Sequence, residues 1–139
     1  MDQKIKKIVI IEDDPILLKA LNFEFFGQNF KILSAMDGQS GLKMVKREEP
    51  DLLILDLLLP KIHGLEILAK LKQSPKAKKI SIVVLTNLKD VDYKAQYGNF
   101  NTFDHYIKSS LNLSQFSKRI RQILTSKKEI GKYGKSVKR

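Results

Sequence analysis

The chain alternates between two kinds of apolar pattern. Short continuous runs, as at 7–11 (KIVII) and 52–55 (LLIL), show no polar face, which fits strands buried on both sides of a sheet. Between the runs lie longer stretches whose apolar residues recur at helical spacing. Leu17, Leu18, Leu21, Phe25 and Phe26 make one such face, opened by Pro15 in the first turn and closed by Gly27. Read this way, strands fall at 7–11, 30–35, 52–55, 80–85 and 103–107. Further helices fall at 41–47, 64–73, 89–97 and 114–124. Asp37-Gly38 reads as a turn, Pro50 stops the second helix, Ser74-Pro75 breaks the third and Gly98-Asn99 closes the fourth. Leu113 is expected to pack just ahead of the cap of the fifth. Five strands alternating with five helices argue for a parallel sheet covered on both faces, with right-handed crossovers. Ligands of such sheets bind outside the carboxyl ends of the strands.

Those ends carry the candidate chemistry. The first strand ends in Glu12-Asp13-Asp14, the third in Asp56, the fourth in Thr86 and the fifth in Lys108. Asp56 sits in LLILDLLLP, where an ionised carboxylate is costly unless something pairs with it. A strand-end aspartate can also simply cap the next turn. Asp14-Pro15 reads as a helix cap, which leaves Glu12 and Asp13 without a capping role. Carboxylates brought together repel, and a hard divalent cation such as Mg²⁺, which takes oxygen ligands, relieves the repulsion. A carboxylate beside such a cation can attack phosphorus, and Thr86 and Lys108 supply a hydroxyl and a cation for the transferred group.

Composition narrows the picture without redirecting it. The 139 residues are 42% hydrophobic and 29% charged, one domain's worth of ordinary globular chain. There is no cysteine, so a disulfide scaffold or cysteine zinc site is excluded. No secretory leader and no apolar run of membrane-spanning length are read, so a cytoplasmic location is expected. The net charge of +11 raises a nucleic-acid or anionic-surface reading. Lys70, Lys72, Lys76, Lys78 and Lys79 form a basic patch, and residues 125–139 hold six basic residues and one acid. A solvated basic face is the commoner meaning of such a patch, and no helix-turn-helix signal accompanies it.

Taken together, IVIIEDDP, DLLLPKIHG, VVLTN and HYIKSS resemble the receiver domain of two-component response regulators, at matching spacings. The resemblance covers Lys4 to about Leu124. It implies a stand-alone, chemotaxis-regulator-like receiver over 1–124 with a basic tail or helix extension over 125–139. It implies a flavodoxin-like doubly wound (βα)5 three-layer sandwich with a parallel sheet of order 2-1-3-4-5. Asp56 would then accept a phosphoryl group from a histidine kinase or phosphotransfer protein. Glu12, Asp13, Asp56 and the backbone carbonyl of Leu58 would hold Mg²⁺. Lys108 would pair with Asp56 and then with the phosphoryl oxygens, and Thr86 would move to hydrogen-bond them.

The same resemblance implies that His105 or Tyr106 changes rotamer with Thr86, repacking the face of the fourth helix, fifth strand and fifth helix toward an unknown output protein. The molecule would be a phosphoacceptor rather than an enzyme, acting as a monomer or a phosphorylation-dependent dimer. Leu58 and Leu88 stand where the family tunes water attack on the acyl phosphate. Both are apolar, which implies slow hydrolysis. Ser109 stands where the family usually has proline, often cis, and Asn87 where a small residue is usual. His63, in the loop after Asp56, reads as solvated rather than as a metal ligand. A receiver-like scaffold binding nucleic acid through its basic patch and tail is the alternative. An aspartate-nucleophile phosphatase is disfavoured, because Leu58 replaces its usual second aspartate.

Overall fold

The structure, a computed structural model, describes residues 4–87 and 102–125. The aliphatic runs form β1 (Lys6–Ile11), β2 (Phe30–Ala35), β3 (Leu52–Leu55), β4 (Ser81–Thr86) and β5 (Thr102–Ile107). All neighbouring pairs are parallel, in the order β2-β1-β3-β4-β5. The described helices are α1 (Pro15–Phe25), α2 (Gly38–Glu48), α3 (Gly64–Lys72) and α4 (Leu113–Thr125). The last of these is the fifth helix expected from the sequence. The helix expected at 89–97, Leu88 and the tail from 126 onward lie outside the described residues.

Strand alternation sorts the core into two layers. Val9, Ile11, Leu53, Leu55, Ile82 and Val84 pack against α2 and α3. Ile8, Ile10, Leu52, Ile54, Val83 and Leu85 pack against α1 and α4, around Phe25 and Phe116. The central strand β3 is fully buried on both faces, which is why its sequence shows no alternation. The molecule is therefore the three-layer, flavodoxin-like sandwich that the resemblance implied, built on the parallel sheet that the apolar pattern predicted.

Element ends differ from the sequence reading where a polar side chain, not an apolar period, sets the boundary. Helix α2 starts at Gly38, inside the expected turn, because the Asp37 side chain accepts from the Ser40 N–H at 2.8 Å and caps it. Leu113 lies inside α4 rather than ahead of its cap. Asn112 is the capping group, its side-chain oxygen accepting from the Gln115 N–H at 2.9 Å. Strand β4 runs one residue further than expected and takes Thr86 into the ladder opposite Ile107. Asp14 caps α1 as expected, accepting from the Ile16 N–H at 2.9 Å.

Candidate functional site

Backbone bonds that extend the ladder past the ends of the strands build the site. The Glu12 N–H donates to the Ala35 carbonyl, and the Asp56 N–H donates to the Ile11 carbonyl, each at 3.0 Å. The residues that follow β1 and β3 are thereby held side by side at the carboxyl edge. Glu12 and Asp56 are 1% and 2% exposed, so two carboxylates lie under the protein surface, while Asp13 stands exposed above them. Lys108, which follows β5, spans the pair. Its Nζ donates to Glu12 Oε2 at 2.8 Å and to Asp56 Oδ2 at 2.7 Å. Thr86 is fully buried at the end of β4.

The remaining lone pairs are unevenly used. Asp56 Oδ1 accepts from the Leu58 N–H at 3.0 Å, and Glu12 Oε2 also accepts from the Asp14 N–H at 2.9 Å. Glu12 Oε1 is buried and has no hydrogen-bond partner among the described residues. Burial pushes the Glu12 carboxyl above its usual value, and the Asp56 charge adds to this against the opposing pull of Lys108 and the Asp14 N–H. Burial works to lower the Lys108 pKa, but bonds to Asp56 and Glu12 outweigh it, so the amine is held above the usual lysine range. Three acids against one lysine leave the pocket with excess negative charge. Glu12, Asp13 and Asp56 each offer an oxygen, all within 4.8 Å of one another, so the cluster could hold a metal ion. The unpaired Glu12 Oε1 fits such a role, since a buried acceptor without a partner is costly unless a cation completes it.

The other residues singled out in the sequence fall into distinct places. By strand alternation His105 shares the face of Val84 and Thr86, toward α2 and α3. Tyr106 faces the other way. It packs edge-on against Phe116, with ring centroids 5.0 Å apart, and its hydroxyl donates to Asp104 Oδ2 at 2.9 Å. Arg119 Nε of α4 donates to the same oxygen at 2.7 Å. Burial, and then the Asp104 charge, push the Tyr106 phenol well above its usual range, so it stays a donor. Tyr106 is thus fixed on the side of the sheet away from Thr86. The Leu58 side chain is exposed beside Asp56. His63 is half-buried and caps α3, its Nδ1 accepting from the Leu65 N–H at 3.1 Å. Apolar periodicity gives no hint of that cap; only the step to Gly64 marks the helix start.

The basic patch lies at the opposite, amino-terminal edge of the strands. Lys70 and Lys72 occupy the last turn of α3, where cations complement the helix dipole. Lys76 in the following 3-10 turn pairs with Glu49 at 3.4 Å.

A doubly wound parallel sheet with buried acids and a bridging lysine at its carboxyl edge is the arrangement that the resemblance to a receiver domain implied. The response regulator receiver domain model matches residues 8–121, and the chain belongs to that family. The response regulator ArlR of Staphylococcus aureus is 35% identical over 118 residues, which cover 85% of this chain and 52% of that protein. The phosphorylated cyanobacterial phytochrome response regulator RcpA is 29% identical, with a TM-score of 0.74 over 88% of this chain and 96% of its own. The Mn²⁺-bound response regulator Rcp1 is 27% identical, with a TM-score of 0.70 over 87% and 93% of the two chains. The chain spans about half, or less, of the length of the curated relatives it matches. Receiver domains serve phosphorylation-dependent two-component signalling, typically as non-enzymatic phosphoacceptors that bind Mg²⁺ at an acidic pocket. No described helix is long and apolar enough to cross a membrane.

Proposed function

We propose that Asp56 accepts a phosphoryl group from the phosphohistidine of a histidine kinase or phosphotransfer protein, and that the phosphorylated chain binds an output partner differently. The observation that carries this reading is the setting of the Asp56 carboxylate. It is buried, held through Oδ1 by the Leu58 N–H and through Oδ2 by Lys108, beside acids with an unfilled acceptor. In the transfer, an Asp56 oxygen attacks phosphorus, the P–N bond breaks and the imidazole leaves, giving an acyl phosphate. Lys108 follows the negative charge onto the phosphoryl oxygens, and the Thr86 hydroxyl donates to one of them. Glu12, Asp13, Asp56 and the Leu58 carbonyl would hold Mg²⁺, which neutralises charge on the transferred group.

The receiver unit is proposed to occupy 1–124, with 125–139 as a basic appendage, and to act in the cytoplasm. Thr86 is proposed to shift on phosphorylation. His105, on the same face, follows it and biases the population of partner-binding surfaces. Tyr106, held on the opposite face by Asp104 and Phe116, contributes by anchoring β5 to α4.

Two expected outcomes follow from the pocket. Mg²⁺ at a hundred times its dissociation constant raises unfolding stability by about 2.7 kcal/mol, read as a higher thermal midpoint. Asp13→Asn shifts that titration to higher Mg²⁺; a midpoint indifferent to Mg²⁺ at every concentration speaks against the site. The apolar Leu58 side chain cannot orient water, so the acyl phosphate is long-lived, and Leu58→Asn shortens its half-life. Equal half-lives for the two proteins would dispose of that role.

The reading is tested by incubating the chain with Mg²⁺ and a small phosphodonor and measuring its intact mass. A gain of one phosphate, absent in Asp56→Asn, is expected. No gain with any donor or with a phosphohistidine protein overturns it.

A further inference from the structure

The turn that carries Lys108 has no cap of its own. Residues Lys108–Ser110 form a single 3-10 turn preceded by Ile107, whose side chain accepts nothing, so the first N–H groups of the turn need an outside partner. The Ser109 N–H finds one 22 residues away, donating to Asn87 Oδ1 at 2.9 Å. Asn87 directly follows Thr86, and Ser109 directly follows Lys108. One side chain therefore ties together the two backbone segments that carry the hydroxyl and the amine of the pocket.

We propose that Asn87 is a positioning residue that couples Thr86 to Lys108. The β4 and β5 ladders register Thr86 against Ile107, but β5 ends there, and Lys108 lies one residue beyond it. Past the ladder, the Leu111 N–H closes the turn by donating to the Lys108 carbonyl at 3.2 Å, a bond within the turn that does not tie it to β4. The solvent-exposed Asn87 bond supplies that tie at the residue next to Lys108, and so helps to hold the amine at hydrogen-bonding distance from both Glu12 and Asp56. The bond also makes the two groups move together. When Thr86 shifts toward a phosphoryl oxygen, Asn87 draws the Lys108 turn with it. This pairing depends on a backbone N–H at 109. A proline there has no hydrogen to donate, so the Asn87 contact exists only because Ser109 is not proline.

The inference rests on Asp56 being the phosphoacceptor, and its test separates the two ideas. Wild type, Asn87→Ala, Ser109→Ala and the double variant Asn87→Ala/Ser109→Pro, together with Ser109→Pro alone, are phosphorylated with a small phosphodonor in saturating Mg²⁺. Asn87→Ala lowers the maximal phosphorylation rate about fivefold, the scale of one hydrogen bond, and leaves the Mg²⁺ affinity unchanged because no metal ligand is touched. Ser109→Ala keeps the N–H and behaves as wild type. In the Ser109→Pro background, Asn87→Ala costs nothing further, since the bond is already gone.

A purely structural role for Asn87 would lower the unfolding midpoint and leave the rate per folded molecule intact, and that result overturns the proposal. So do additive losses in the double variant. If wild type takes no phosphate at all, the phosphoacceptor reading falls, and the coupling is decided by amide hydrogen exchange. Faster exchange at Ser109 in Asn87→Ala than in wild type sustains the bond as the restraint on the Lys108 turn; equal exchange overturns it.

Discussion

Lys108→Met is expected to lower the unfolding free energy by about 3 kcal/mol without divalent cations, and to recover much of that loss in saturating Mg²⁺. Among the described residues Lys108 is the one group bonded to both buried carboxylates, and methionine keeps its length while removing its charge. Breaking a buried ionic pair on one side strands the other side, which is the costly case. Here two acids are stranded at once, with Glu12 already carrying an unpaired oxygen. A cation bound by the same acids replaces the lost charge, so the deficit depends on metal.

Stability data and phosphorylation rates should diverge in this variant. Mg²⁺ restores folding but not the amine on the phosphoryl oxygens, so the rate stays down by roughly 10² to 10³. The pH dependence has a definite sign. The Lys108 pKa is raised, so its contribution is complete below the ordinary lysine value and fades only as pH rises through the higher value. The gap between variant and wild type therefore closes in strong alkali, and it also narrows toward acid pH, where the raised Glu12 carboxyl takes a proton and is no longer a stranded charge. Equal denaturant midpoints for the two proteins in a chelator would sink the argument.

Gly64→Ala is expected to cost about 3 kcal/mol and about a hundredfold in phosphorylation rate. A Cβ at 64 would stand 2.5 Å from the Asp56 carbonyl oxygen and 2.5 Å from Leu57 Cα. Both are backbone atoms and cannot swing aside. The Gly64 N–H donates to the Leu57 carbonyl at 2.8 Å, so the start of α3 is folded tightly against the residues that follow β3. Relief has to come from moving the backbone that carries Asp56. A urea titration and a phosphorylation time course read the two effects; an alanine variant matching wild type in both would remove the packing argument.

Much of this architecture is legible in the chain because the sheet is parallel and buried. A strand such as β3 must be aliphatic at every position, and a covering helix such as α4 must repeat at 3.6 residues. The two signals are distinct, and their alternation leaves few topologies. The pocket is legible for a related reason. Charged residues that end aliphatic runs all fall at one edge of a parallel sheet, so Glu12, Asp56 and Lys108 meet without any knowledge of side-chain geometry. What stays hidden is what polar side chains do to the backbone. Asp37 and Asn112 move helix starts, and His63 becomes a cap, because single hydrogen bonds decide those ends. The facing of Tyr106 depends on the register of β5, which shifts between Ile82 and Val83 and cannot be counted from residue types. The Asn87 contact joins positions 22 apart that share no apolar period.

That contact also has an evolutionary consequence. An asparagine at 87 is useful when position 109 carries an N–H, and a proline at 109 needs a different way to fix the lysine turn. The two positions therefore form one inherited choice. Among aligned relatives, asparagine at the first should be rare wherever proline occupies the second, and a lineage should change both together or neither.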